Sequence, residues 1–395
     1  MTEDTARRRG HADGHPDPWR TPMKRAEGKV AFITGAARGQ GRAHALRLAG
    51  EGADIIAVHL CESVGTTPYD GATDADLAET AKRVEELGGR VLARQADVRD
   101  LAALERVVEE GLSRFGGIDV VCANAGIASF GSALELSEQQ WQDILDINLT
   151  GVWKTVRATA PSMVERGRGG SIILTSSIAG LIGFLNLAHY TAAKHGVTGL
   201  MRVLAIELAP HRIRFNSIHP ATVDTPMVAN EASWKLFLGG IDGATREQAA
   251  VGMKTLNALP IPWLDMADIS NAVLYLASDE SRHVTGTTMV GRGAVSHGAT
   301  AVNARRAYTS SATPSSGVIL GERNSLSASL CARRMLASAR AGLRRPKPQG
   351  AETATTGRAS ARSTRRSATE ARDGCCSSIR PTMSGTSLSS SRSGS

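Results

Sequence analysis

In HYTAAKHG, Tyr190 and Lys194 stand four residues apart and so share one face of a helix. A phenol ordinarily keeps its proton to about pH 10, and a neighbouring ammonium stabilises the phenolate and lowers that value toward the working range. The pair is a candidate general base for an alcohol and, in reverse, a general acid for a ketone. YxxxK also arises by chance on solvent-facing helices, so the chemistry depends on its company. Ser177, in TSS, lies upstream across a glycine-containing loop, and Asn148 lies in DINLTG.

A second group suits a dinucleotide. TGAARGQG places Gly35, Gly39 and Gly41 around Arg38 and Gln40. Gly35 permits a tight turn, Gly39 lets backbone approach a pyrophosphate, and Gly41 lets the next helix pack closely, its N-terminal NH groups favouring phosphate. In ADV, Asp97 beside Val98 stands where an adenine amino group could donate to it, although a strand-end Asp also serves as a cap. Asn124, Ala125 and Gly126, in NAG, put small residues beside a ribose. His59, in IIAVHLCES, stands where a strand leaves the sheet. It is either a loop residue or the residue that reads the adenosine ribose.

These residues act together only if a sheet collects them. From Gly28 to Val290, strands at 29–34, 53–58, 90–95, 118–124, 171–177, 213–219 and 286–290 alternate with helices at 42–52, 75–88, 101–115, 137–165, 189–209 and 266–278. Each parallel crossover needs a helix, so the alternation predicts an α/β fold, a single doubly wound Rossmann-type domain over 28–290 with a parallel seven-stranded sheet. Two long segments break the rhythm, 61–73 and 225–264. Both follow strand carboxyl ends, where open α/β sheets bind ligands, and they read as a cofactor cover and a substrate lid.

Composition limits the alternatives. The 395 residues are 42% hydrophobic, enough for a sizeable core. No run suits a bilayer span, and the polar, Arg-rich start lacks a secretory apolar region, which predicts a cytoplasmic protein without a membrane partner. Cys61, Cys122, Cys331, Cys375 and Cys376 have no repeated CxxC spacing, so free thiols and no metal site are expected. The net charge of +8 belongs to the end of the chain: residues 28–290 hold 23 Lys/Arg and 29 Asp/Glu, whereas 291–395 hold 17 and 4. That basic tail lacks aromatic interleaving and any recognition module, which argues against specific nucleic-acid binding. Residues 1–27 read as a disordered extension, with Met23 an alternative start. Residues 291–395 read as low-complexity, either translated from a shifted reading frame or natively disordered.

TGxxxGxG, DV, NAG, the Asn of INLTG, Ser177, YxxxK and HPATVDTPM occur in this order. Over 28–290 the chain thereby resembles the short-chain dehydrogenase/reductases. GKVAFITGAARGQGRAHALRLAGEGADIIAV, the 61–73 insert and HPATVDTPM are similar to the mycofactocin-coupled, carveol-dehydrogenase-like actinobacterial branch of that family. The resemblance implies a catalytic tetrad of Asn148, Ser177, Tyr190 and Lys194. In it Ser177 positions the substrate oxygen, Lys194 also binds the nicotinamide ribose, and Asn148 holds a water in a proton relay. It further implies cofactor contacts by Pro220, Val223 and Thr225, an insert folded over the cofactor, a homotetramer, and mycofactocin as redox partner.

The implied activity is hydride transfer between NAD and a small-molecule secondary alcohol or ketone. Met227, Trp234, Leu236, Phe237, Leu238 and Trp263 suit an apolar, terpenoid or steroid-like substrate, or are simply lid core. The alternative from another class is a catalytically silent dinucleotide-binding sensor or scaffold, which would have no chemical need for both Tyr190 and Lys194. The chain departs from the family at three places. Pro220 precedes Ala221 rather than Gly, MVGRGAV replaces the usual end of the last strand, and His59 replaces the acid that NAD-preferring members carry. Without that carboxylate two ribose hydrogen bonds and the repulsion of a 2′-phosphate are lost, and Arg38 favours such a phosphate. NADP therefore stands beside NAD, with NAD favoured by the resemblance.

Overall fold

The computed structural model describes residues 24–291 except 239, 255, 256 and 258. Most of the N-terminal extension, including Met23, and the basic tail with its reading-frame alternatives lie outside the described residues. Residues 24–27, expected to be disordered, belong to the fold. Ala26 is buried and Arg25 Nε donates to Glu280 Oε1 at 2.7 Å.

Strands β1 (Val30–Thr34), β2 (Asp54–His59), β3 (Val91–Gln95), β4 (Val120–Ala123), β5 (Gly170–Thr175), β6 (Ile213–Pro220) and β7 (Thr288–Gly291) form a parallel sheet in the order β3-β2-β1-β4-β5-β6-β7. The helices are α1 (Gly39–Gly50), α2 (Asp74–Glu86), α3 (Leu101–Phe115), α4 (Glu138–Leu145), α5 (Gly151–Arg166), α6 (Ala188–Glu207), α7 (Glu231–Phe237), α8 (Arg246–Lys254) and α9 (Met266–Ala277). Alternate strand residues supply the two faces of the core. Phe32, Ile56 and Val58 pack with Leu104, Val156 and Met201 of α3, α5 and α6, whereas Ile33, Ile55 and Ala57 pack with Leu48 and Leu274 of α1 and α9. A side chain the size of Phe32 contributes about 2–3 kcal/mol when removed from water. Because strand order reverses between β1 and β4, a crevice opens at their carboxyl ends.

Two sequence expectations change. The helix expected over 137–165 is α4, a π-helical turn at Asp146–Thr150, and α5, with Gly151 N–H bonded five residues back to Asp146 O. One extra residue in a turn barely alters apolar periodicity, so the sequence hides it. β5 ends at Thr175, and Ser177 instead caps a short 3-10 turn over Ile178–Gly180. The altered end of the chain still lets β7 pair with β6, from Ser217↔Thr288 to Pro220↔Gly291. Among the described residues no helix is long and apolar enough to cross a membrane.

Candidate active site

Helices α2, α3, α4 and α9 begin on the side-chain caps Thr73, Asp100, Ser137 and Asp265, but α1 begins at Arg38 with none. Its first NH groups are left for a ligand. Gly35 and Gly39 have φ of 72° and 60°, and a Cβ on Gly41 would lie 2.1 Å from Gly35 O. Gly41 thus has no room for a side chain, and Gly35 and Gly39 adopt a backbone conformation that favours glycine. Gln40 Oε1 is buried without a partner among the described residues. A tight, glycine-built turn that runs into an uncapped helix N-terminus fits the pyrophosphate of a dinucleotide.

The cleft over this turn is also lined by His59, Asp97, Val98, Ala125 and Gly126. Thr34, which the sequence reading passed over, holds the NAG loop: its Oγ1 accepts from the N–H groups of Asn124 and Ala125, both at 3.1 Å. Asp97, the residue expected to accept from adenine, lines the cleft, and its carboxylate is oriented by Arg99 N and Nε, each at 2.8 Å. His59 Nδ1 accepts from Ala37 N–H at 3.4 Å. Burial, helped by the Arg38 charge, lowers its pKa to about 4 against smaller opposing effects of Asp76 and the Gly35 carbonyl. The ring is neutral at pH 7, with its proton on Nε2.

The 61–73 insert closes over this cleft. Arg38 Nη2 donates to Asp70 O, Tyr69 Oη accepts from Ala128 N–H at 2.9 Å, and Thr66 Oγ1 donates to Asp143 Oδ2 at 2.7 Å. Arg38, expected as a candidate for a 2′-phosphate, thus lines the cleft and also ties down the insert. Burial pushes the Tyr69 phenol up to about 12, so it stays protonated. Cys61 and Cys122 are free thiols, both pushed up to about 12 by burial.

An adjoining cleft contains Ser177, Tyr190 and Lys194, and it shares Gln40, Asn124, Gly126 and Thr225 with the first. Lys194 Nζ donates to Thr175 O at 2.9 Å and lies 5.6 Å from the Tyr190 ring centroid. Burial lowers the Lys194 pKa to about 8. Burial raises that of Tyr190, opposed by a hydrogen bond from Ser177, so the expected lowering by Lys194 is not the prevailing effect in this site. Asn148 lies behind the cleft wall. Its Oδ1 accepts from Ile127 N–H and its Nδ2 donates to Ile127 O, both at 2.8 Å, so its side chain braces the wall.

The family profile described as short chain dehydrogenase matches residues 29–236. The chain belongs to the short-chain dehydrogenase family. This short-chain dehydrogenase is 50% identical over 268 residues to (−)-trans-carveol dehydrogenase of Rhodococcus erythropolis, covering 68% of this chain and 97% of the relative. It is 38% identical over 266 residues to a 3-alpha-(or 20-beta)-hydroxysteroid dehydrogenase of Mycobacterium tuberculosis, covering 67% and 87%. A solved structure of carveol dehydrogenase from Mycobacterium avium in complex with NAD superposes with a TM-score of 0.67 at 49% identity, covering 68% and 97%.

Not every lid residue expected at the substrate cleft of this dehydrogenase reaches it. Met227 and Phe237 do, joined by Val228. Trp263 instead lies under the Arg246 guanidinium at 4.4 Å, and Leu238 meets Gly252 of α8, so these two are lid core. Trp234 and Leu236 also fall outside the lining. The sequence reading missed Phe130, Phe184 and Leu187, which complete the apolar wall. Their signal was position, just after NAG and between Ser177 and Tyr190. Pro220, Val223 and Thr225, expected to contact the cofactor, line the cleft.

Proposed function

We propose that this enzyme interconverts a neutral, apolar secondary alcohol and its ketone using NAD. The observation that carries the reading is the lining of the second cleft: apolar side chains surround Ser177 and Tyr190, and among the described residues Lys194 is its one ionic side chain. A carboxylate-bearing substrate would find no further cation there. The names of the carveol and hydroxysteroid relatives support an apolar substrate, and the NAD complex of the carveol dehydrogenase supports the cofactor.

Bound NAD supplies the hydride acceptor for alcohol oxidation. Ser177 Oγ donates to the substrate oxygen and holds it against the phenol. Tyr190 Oη takes the hydroxyl proton in oxidation and returns it in reduction. The Lys194 ammonium favours the phenolate electrostatically and is aimed by its bond to Thr175 O. Asn148 keeps the Ile127 wall in place, and the apolar lid excludes water. The Gly35 to Gly41 turn seats the pyrophosphate, with the insert and Tyr69 covering it.

A substrate panel tests this. Carveol and a 3-hydroxysteroid should exceed 4-hydroxycyclohexanecarboxylate in kcat/KM by about tenfold or more, as expected when a buried charge lacks a partner. Preference for the carboxylate would overturn the substrate assignment.

A further inference from the structure

β5 and β6 pair from Gly170↔Ile213 to Thr175↔Ile218, and Ser176 N–H still donates to Ile218 O at 2.9 Å. There the ladder stops, because Pro220 has no N–H to continue it. The His219 side chain takes over. Its Nδ1 lies 2.8 Å from Ser177 O and its Nε2 2.7 Å from Ser217 Oγ. A carbonyl can only accept, so Nδ1 carries the proton and the Ser217 hydroxyl donates to Nε2. The ring is buried, and burial lowers its pKa, opposed by the Ser177 carbonyl and reinforced by Lys194, Arg202 and His195. The neutral tautomer is therefore the resident one.

TSS is consequently tied at every residue. Lys194 Nζ holds Thr175 O, Ser176 Oγ donates to Lys194 O at 2.9 Å, and Ser177 O accepts from both His219 Nδ1 and Gly180 N–H, the latter at 2.8 Å. His219 lines neither cleft, so it does not touch a bound molecule. We propose that His219 is a positioning residue for the Ser177 hydroxyl, its Nδ1–H fixing the main chain from which that hydroxyl enters the substrate cleft. The inference rests on Ser177 being the group that holds the substrate oxygen.

Full-length His219→Ala, His219→Asn and His219→Gln are compared using (−)-trans-carveol and NAD, with Ser177→Ala as control. Asn presents an amide donor near the Nδ1 position, whereas Gln presents it one bond further out. His219→Ala and His219→Gln should lose about tenfold or more in kcat with KM for NAD within about twofold, and His219→Asn should recover most of the loss. Hydrogen exchange at Gly180 should quicken in the first two and return toward the parent in the third. Folded Ala and Gln variants with kcat within about twofold of the parent and unchanged Gly180 exchange would overturn the proposal, as would equal rescue by Asn and Gln. If His219→Ala does not fold, the Asn and Gln pair decides. If carveol is not turned over, the exchange pattern decides alone. An active Ser177→Ala would instead overturn the role given to Ser177.

Discussion

Lys194→Met should resist urea at least as well as the parent while losing turnover. Burial lowers the Lys194 pKa from 10.5 to about 8. The unfolded chain holds this proton up to about pH 10.5 and the folded chain only to about pH 8, so between those values the unfolded state binds more protons and stability rises with pH. Below about pH 8 the folded protein bears the full penalty of burying the charge. A gap of about 2.5 pH units at ~1.4 kcal/mol each is about 3.5 kcal/mol. Methionine fits the same unbranched space but cannot donate to Thr175 O, and an unpaired buried carbonyl costs about 1–3 kcal/mol. The balance is a gain of about 0.5–2.5 kcal/mol at pH 7. Urea unfolding at pH 7 and at about pH 9.5 measures it, and the advantage of the variant should shrink at the higher pH as the parent deprotonates. A loss above about 1 kcal/mol at pH 7, or an advantage indifferent to pH, would refute the reasoning.

The parent should also weaken in acid. Burial lowers His44 to about 3, and burial with the Arg38 charge lowers His59 to about 4, while both titrate near 6.5 in the unfolded chain. As pH falls below 6.5 the unfolded state takes up protons that the folded state refuses, so the urea midpoint should drop from there toward pH 4, less steeply in His44→Gln; a flat profile would contradict this. His59→Asp should raise NAD affinity about tenfold and lower that for NADP, measured by calorimetry. An unchanged ratio of the two affinities would mean that position 59 does not face the ribose.

Patterns that are periodic or chemically constrained were legible in the sequence. The alternation of strands and helices required a parallel sheet, and the glycines of TGAARGQG announced their turn because no Cβ fits at Gly41. Tyr190 and Lys194 share a helix face, so their meeting could be read from spacing alone. What escaped reading depends on geometry between distant segments. The π turn that contains Asn148 shifts register by one residue, and the bond of Asn148 to Ile127 is a contact across 21 positions. Tyr69 reaches Ala128 only because the insert folds back over the crevice. The lid aromatics divided between cleft and lid core according to tertiary packing, and composition holds no information about that division. The bond of His219 Nδ1 to Ser177 O likewise spans 42 positions, which strand periodicity does not encode.

In the proposed reaction Tyr190 moves the substrate proton, while the glycine turn and the insert supply most of the hold on NAD. Tyr190→Phe keeps the ring and removes only the hydroxyl. Its kcat on (−)-trans-carveol should fall by about 10²–10⁴-fold, the usual worth of a positioned acid–base group, while calorimetry finds NAD affinity within about threefold of the parent. A phenylalanine variant that turns over the alcohol at the parent rate would contradict the account.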